Sequence, residues 1–178
     1  MNPLEIIDKY YAEGTPLYTI LLSHSRSVTA KALEIAERHP ELQPDKTFIA
    51  EAAMLHDIGI FLTHAPGIHC IGKANYIEHG YLGAELMRKE GYERHALVCE
   101  RHTGTGLSLE EIKKRQLPLP HRDMCPISWE EQIICYADKF FSKTHLNEML
   151  TPEKILTSLA KFGEKPIEKF KKWMILFE

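Results

Sequence analysis

The chain has 178 residues, 44% hydrophobic and 26% charged, with a net charge of −3 at pH 7. That suits a single globular domain able to bury a sizeable core. The charge balance gives no basic excess and no basic stripe of the kind that marks a bulk nucleic-acid binder is evident, and no apolar run reaches the roughly 18 residues that span a bilayer. The opening residues MNPLEIIDKYYAEG lack a charged n-region followed by an apolar h-region, so no signal peptide is expected and cytoplasm is the default. Cys70, Cys99, Cys125 and Cys135 form no CxxC pair. They read as reduced, mostly small buried hydrophobes rather than a disulfide framework or thiolate zinc site.

In chain order the pattern is helical, with no convincing alternating strand and no internal repeat. Asn2-Pro3 reads as an N-cap and first helical residue, and Gly14 closes that short helix. A second helix starts near Pro16 with an apolar stripe of Leu17, Leu21, Val28, Ala32 and Ile35. The third runs from about Asp45 through Ile49, Ala52 and Leu55 and stops by Gly59. From His64 to Tyr76 the chain carries Pro66, Gly67 and Gly72 without a period, and a loop of that length suggests function.

Helices resume at about 78–90 and 93–102. Ser108 and Glu111 cap a brief helix among the glycines and prolines between Gly104 and Pro126. Ser128 and Glu131 make a second capping box, opening a helix through Ile133, Ile134, Ala137 and Phe141. Thr151-Pro152 opens another, ended near Gly163. In the tail, Ile167, Phe170, Trp173, Met174 and Phe177 share a face that should dock. The expectation is an all-α helical bundle over residues 1–178, with a motif-bearing core at about 18–145 and helices at about 152–177 packed on it.

The informative feature is polar residues on inward-facing stripes. His24 falls in register with Leu17, Leu21 and Val28; His56 follows Ile49 and Ala52, with Asp57 beside it. His79 aligns with Leu82, Gly83 and Leu86, His102 with Val98 and Cys99, and Asp138 lies between Ile134 and Phe141. One histidine on an apolar face is more often an ordinary core residue than a ligand. Five such sites on five helices are different, because a buried carboxylate without a cation costs several kcal/mol. Imidazole with carboxylate suits Fe, Mn, Zn, Ni or Co in a catalytic rather than a closed thiolate site.

These residues resemble the HD-domain superfamily of metal-dependent phosphohydrolases. The matching motifs are His24 in LLSHSRSV, the doublet His56-Asp57 in AAMLHDIG and Asp138 in ICYADKFF. His79 in YIEHGYLGA and His102 in CERHTGTG resemble the pair inserted by two-metal branches, and HDIG itself names one branch. The resemblance implies that His24, His56, Asp57 and Asp138 hold one metal and that Asp57 bridges to a second held by His79 and His102. It implies one or two divalent ions per chain, with Fe or Mn favoured and Zn, Ni, Co or Mg also admitted. Such ions generate a hydroxide nucleophile near neutral pH and neutralise phosphoryl charge, so Asp57 is catalytic through them.

The cyclic di-GMP phosphodiesterase branch is disfavoured because Thr103-Gly104-Thr105-Gly106 follows His102. The guanosine tetraphosphate hydrolases are disfavoured because Ile58-Gly59-Ile60-Phe61 follows the doublet. The layout is more similar to small stand-alone two-metal hydrolases, including those that split dinucleoside tetraphosphates. A small phosphorylated partner of nucleotide type is therefore expected, with no bulk nucleic acid and no membrane, and a homodimer is compatible. Arg26 and Lys139 neighbour ligands and are the first choices for phosphate contact and catalysis. Lys73, Arg101 and Thr103 are further substrate-binding candidates, with His69 and Thr105 behind them. Each of these charges, taken alone, is more often a surface residue. Two rival readings remain open, a di-iron oxygenase of the same fold and a non-catalytic nucleotide-binding module.

Overall fold

A computed structural model describes residues 1–146 and 148–178. Its frame is nine α-helices among the described residues: α1 (Pro3–Tyr10), α2 (Pro16–Arg38), α3 (Lys46–Leu55), α4 (His79–Lys89), α5 (Glu93–Arg101), α6 (Leu109–Lys114), α7 (Trp129–Asp138), α8 (Pro152–Leu159) and α9 (Glu164–Phe177). Among the described residues no helix is long and apolar enough to cross a membrane.

Their starts follow the capping chemistry of the sequence. Asn2, Thr15, Asp45, Ser108, Ser128 and Thr151 each accept a backbone N–H of the helix they open, satisfying donors that otherwise lack partners. The Ser108–Glu111 box is reciprocal. The expected Ser128–Glu131 box is only half formed. Ser128 accepts from Glu131 N, but the Glu131 carboxylate accepts instead from Ile127 N and pairs with Arg101.

Two boundaries differ from expectation. Helix α7 ends at Asp138 rather than running through Phe141, whose backbone bridges to Met149 instead. The segment from His64 to Tyr76 also holds a short antiparallel hairpin, β1 (His64–Ala65) with β2 (Cys70–Ile71). Strands of two residues are too short to show alternation.

Helix α2 packs on α3 and α7, while α4 packs on α5. Beside a smaller third cluster around Ile112 and Met124, two apolar clusters result. One gathers Val28, Ile35, Ile49, Ile133, Tyr136 and Phe170; the other gathers Ile7, Leu21, Leu55, Ile58, Met87 and Cys99. His24 stands on α2 between Leu21 of one cluster and Val28 of the other, so the polar residues lie along their seam. The C-terminal helix docks as expected. Pro166, Phe170, Trp173 and Phe177 are buried, Trp173 Nε1 donates to Gln132 Oε1 at 3.0 Å, and the Tyr136 hydroxyl donates to Glu178 at 2.9 Å.

Two glycines set how closely the ligand-bearing elements approach. A Cβ on Gly59 would lie 2.3 Å from the His79 carbonyl oxygen and 2.4 Å from Gly83 N. The turn after the His56-Asp57 doublet therefore rests on the first turn of α4. A Cβ on Gly80 would lie 2.5 Å from the Cys99 carbonyl oxygen on α5. The Tyr11 hydroxyl donates to the Ile58 carbonyl at 2.7 Å and fixes the same turn from α1.

Because the obstacle at Gly59 is backbone, it cannot rotate away. Gly59→Ala is expected to cost at least the upper end of the roughly 1–3 kcal/mol typical of overpacking, read as a fall in the denaturant midpoint. A midpoint within error of the parent would show that this contact does not constrain the fold.

Candidate metal centre

Apart from His24, in mid-α2, the ligand candidates sit at helix ends. His56 is the C-cap of α3 with Asp57 next, His79 is the first residue of α4, His102 is the C-cap of α5, and Asp138 closes α7. Carbonyls near helix C-termini lack intrahelical partners, and His56 and His102 use such positions, whereas His79 turns to a carbonyl of the turn that precedes α4. His56 Nδ1 donates to the Ala53 carbonyl, His79 Nδ1 to that of Tyr76 and His102 Nδ1 to that of Cys99, each at 2.7 Å. A carbonyl can only accept, so each Nδ1 carries the proton. In the neutral ring, each Nε2 then presents a lone pair to the interior.

Those Nε2 atoms converge on Asp57. His24 and His56 Nε2 lie 3.1 and 3.2 Å from Asp57 Oδ2, while His79 and His102 Nε2 both lie 3.4 Å from Asp57 Oδ1. Asp138 Oδ1 completes the first set, 3.0 Å from His24 Nε2 and 3.3 Å from His56 Nε2. Two groups could thus hold a metal, His24, His56, Asp57 and Asp138 in one and Asp57, His79 and His102 in the other, all six residues buried. Asp57 belongs to both.

Electrostatics supports that reading without assuming it. His79 and His102 Nε2 approach to 3.0 Å. Burial pulls His79 down to about 3 and also lowers His102, so near pH 7 two lone pairs face each other. A cation between them removes the repulsion. Neither Asp57 oxygen has a well-formed hydrogen bond, which is costly for a fully buried carboxylate unless cations compensate. Burial also pushes the Asp57 carboxyl up, but Lys143 and His56 beside it hold it well below the usual range. Asp138 is held low in the same way, by Lys139 and then His24. The residues present therefore fit divalent ions, and nitrogen–carboxylate sets suit transition metals.

His56 differs from the other rings. Burial opposes its charge, but Asp57 and Asp138 outweigh burial and raise it to about 9. Below that pH, in the absence of metal, His56 carries a proton that a metal must displace. Metal affinity is therefore expected to rise with pH up to about 9, by about tenfold per unit for one proton displaced. Competitive Co(II) titrations from pH 6.5 to 8.5 check the slope, and a flat profile would exclude His56 as the displaced group.

The other sequence-chosen residues separate. Lys139 reaches the centre: its ammonium contacts Asp138 Oδ2 and donates to the His102 carbonyl at 3.2 Å. Thr103 and Thr105 line a cavity beside His79. Arg26 does not reach the cluster. It is exposed on α2 and borders a shallow depression with Tyr18, Thr19 and Leu22, because two residues along a helix turn the side chain to the opposite face. Arg101 is held by Glu131 at 2.9 Å. Lys73 and His69 are exposed. His95 is buried against Phe48 and pairs with Glu51 at 3.2 Å.

One functional candidate escapes a sequence reading. Lys143 Nζ lies 2.6 Å from Asp57 Oδ2, in a cleft of about 360 Å³ shared with Tyr76, Ser142 and Thr144. It belongs to no helix, so no periodicity marks it; its only sequence signal is a second lysine five residues after Asp138.

A family model described as HD domain matches residues 21–142. An uncharacterized protein of Methanocaldococcus jannaschii is 35% identical over 127 residues, covering 70% of this chain and 68% of that protein. Two tRNA (cytidine(56)-2'-O)-methyltransferases, from Picrophilus torridus and Thermoplasma volcanium, are 34% and 33% identical over 124 and 137 residues. These matches cover 69% and 76% of this chain but only 32% and 35% of the methyltransferases, about a third of their length. No solved structure matches the chain.

Proposed function

The chain belongs to the HD-domain superfamily, and from that premise we propose that it is a metal-dependent phosphohydrolase acting on a small phosphomonoester or phosphoanhydride of nucleotide type. The observation that carries the reading is the division of Asp57, with Oδ2 facing His24 and His56 and Oδ1 facing His79 and His102. One carboxylate is thereby placed to bridge two sites. When bound, divalent ions supply Lewis acidity, which activates water as the nucleophile and neutralises charge on a transferring phosphoryl group.

The chain's own residues arrange that chemistry. The three carbonyl-anchored imidazoles are fixed in orientation, so each Nε2 already points into the site; His79 and His102 present a lone pair there, and His56 does so once its proton is displaced. Lys139 ties the end of α7 to the end of α5 and keeps Asp138 ionised through its positive charge. Lys143, raised above its ordinary value mainly because Asp57 outweighs burial, stays an ammonium. It opens on the cleft beside Tyr76, where it is placed to bind a phosphoryl oxygen as a point charge.

The methyltransferase relatives favour one refinement. Because their matched third corresponds to this chain, a phosphate ester derived from RNA is the nearest substrate class to try first. The net charge of −3 and the enclosed cluster favour a small nucleotide over an intact tRNA.

The test is a screen of nucleotides, dinucleotides and simple phosphate esters with Mn, Fe(II), Co, Ni and Mg. Phosphate release is expected, abolished by EDTA. Lys143→Ala should lower kcat/KM by about 10–100-fold, the scale of one charged phosphate contact worth about 1.5–3 kcal/mol, with metal content unchanged. Silence across the panel from metal-loaded protein would remove the reading.

A further inference from the structure

A second cavity, of about 350 Å³, starts at the metal centre and has a different chemistry. Its inner end is His79 and Tyr76, whose rings stack at 4.7 Å with an interplanar angle of 23°. Its walls are Ile77, Leu107, Leu159, Phe162 and Pro166, with the backbone of Gly104 and Gly106. Gly106 has φ +95°, and a Cβ there would strike Pro126 at 2.7 Å, so glycine is required at this position by its conformation and its packing on Pro126. At the rim the Arg115 guanidinium lies 5.4 Å from the Phe162 ring centroid.

Two features suggest what the cavity is for. The lining is mostly apolar, with Thr103, Thr105, Glu111 and Arg115 as its polar members, and so suits the organic part of a substrate, while Lys143 in the cleft it shares with Tyr76 is placed to receive the phosphate. Its volume falls in the range of small-molecule sites, which bury the apolar part of a ligand and orient it with a few polar groups. Moreover, the family match ends at residue 142, whereas Leu159, Phe162 and Pro166 come from α8, α9 and the turn joining them. This wall is thus an addition to the matched region.

We infer that this cavity selects the substrate by its organic group: a flat aromatic moiety, attached to the phosphate that the metal centre receives, inserts between Ile77 and Leu159 and is covered at the mouth by Phe162 and Arg115. The inference rests on the phosphohydrolase reading for its phosphate half only. Ile77, Phe162 and Leu159 are specificity-determining residues, and none touches the reacting atoms.

The test uses non-hydrolysable probes on the full metal-loaded chain, titrated by calorimetry: 1-naphthylphosphonate, methylphosphonate and 1-naphthol. 1-Naphthylphosphonate is expected to bind at least tenfold more tightly than methylphosphonate. Ile77→Trp, which fills the cavity, and Phe162→Ala, at a residue 54% exposed and so harmless to the fold, should each erase most of that advantage while leaving methylphosphonate affinity unchanged. Equal affinity of the two phosphonates for the parent, or an advantage that survives both substitutions, would overturn the inference. Binding of 1-naphthol alone, lost in Ile77→Trp, with neither phosphonate preferred over it, would uphold the cavity and count against the phosphohydrolase reading instead.

Discussion

Asp57→Asn is expected to abolish both metal occupancy and hydrolysis while leaving the fold in place. Asn keeps the size of the side chain but offers one neutral carbonyl in place of two anionic oxygens. Asp57 belongs to both groups, so the second loses its one carboxylate and the first keeps only Asp138. Four imidazoles and Asp138 remain, yet Lys143 and Lys139 then stand in the site with only one carboxylate facing them. Positive charge disfavours divalent ions further. With several kcal/mol of transition-state stabilisation removed, activity should fall on the order of 10³-fold or more. Metal analysis of the purified variant, with circular dichroism as a fold control, checks this. Two equivalents of metal in well-folded Asp57→Asn would dismiss the carboxylate as the shared ligand.

Helical spacing marks His24, His56, His79, His102 and Asp138 as inward-facing, while Asp57 is legible as the neighbour of His56 and through the resemblance of the doublet to the HD family. His24 is three residues from Leu21 and four from Val28, and a polar residue on that stripe needs a reason to be there. The same geometry explains the misplaced candidates. Arg26 and Arg101 were chosen as sequence neighbours of ligands, yet neighbours at one or two residues on a helix face elsewhere. Both are turned away, to solvent and to Glu131. Lys139 escapes that rule because it follows the last residue of α7, where the chain leaves the helix.

Lys143, the hairpin at β1 and β2, and the apolar cavity share a different obstacle. Each is made where segments meet in space, and no local period encodes the meeting. Gly59 and Gly80 show the limit most sharply. A glycine in HDIG reads as a turn signal, whereas its use here is to let a backbone pass within reach of α4.

The two halves of the centre should also separate. His79→Ala and His102→Ala each remove one of only three donors in the second group, leaving the four residues of the first untouched. One equivalent of metal is therefore expected to vanish and one to remain. The result is not symmetrical with loss of His24, because that ring lies 3.1 Å from Asp57 Oδ2 and 3.0 Å from Asp138 Oδ1. Its loss leaves His56, Asp57 and Asp138, as many donors as the intact second group, so the first site should be weakened rather than emptied. Loss of His102 carries one further consequence, since Lys139 donates to its backbone carbonyl, which an alanine retains. The tie between α5 and α7 should survive, and thermal stability measured without metal should change little. Activity should fall by about 10²-fold or more, the scale on which a single charge-stabilising group acts. If both substitutions keep two equivalents, His79 and His102 are not ligands. If each instead loses both, the two groups fill only together, and Asp57 couples them rather than merely joining them.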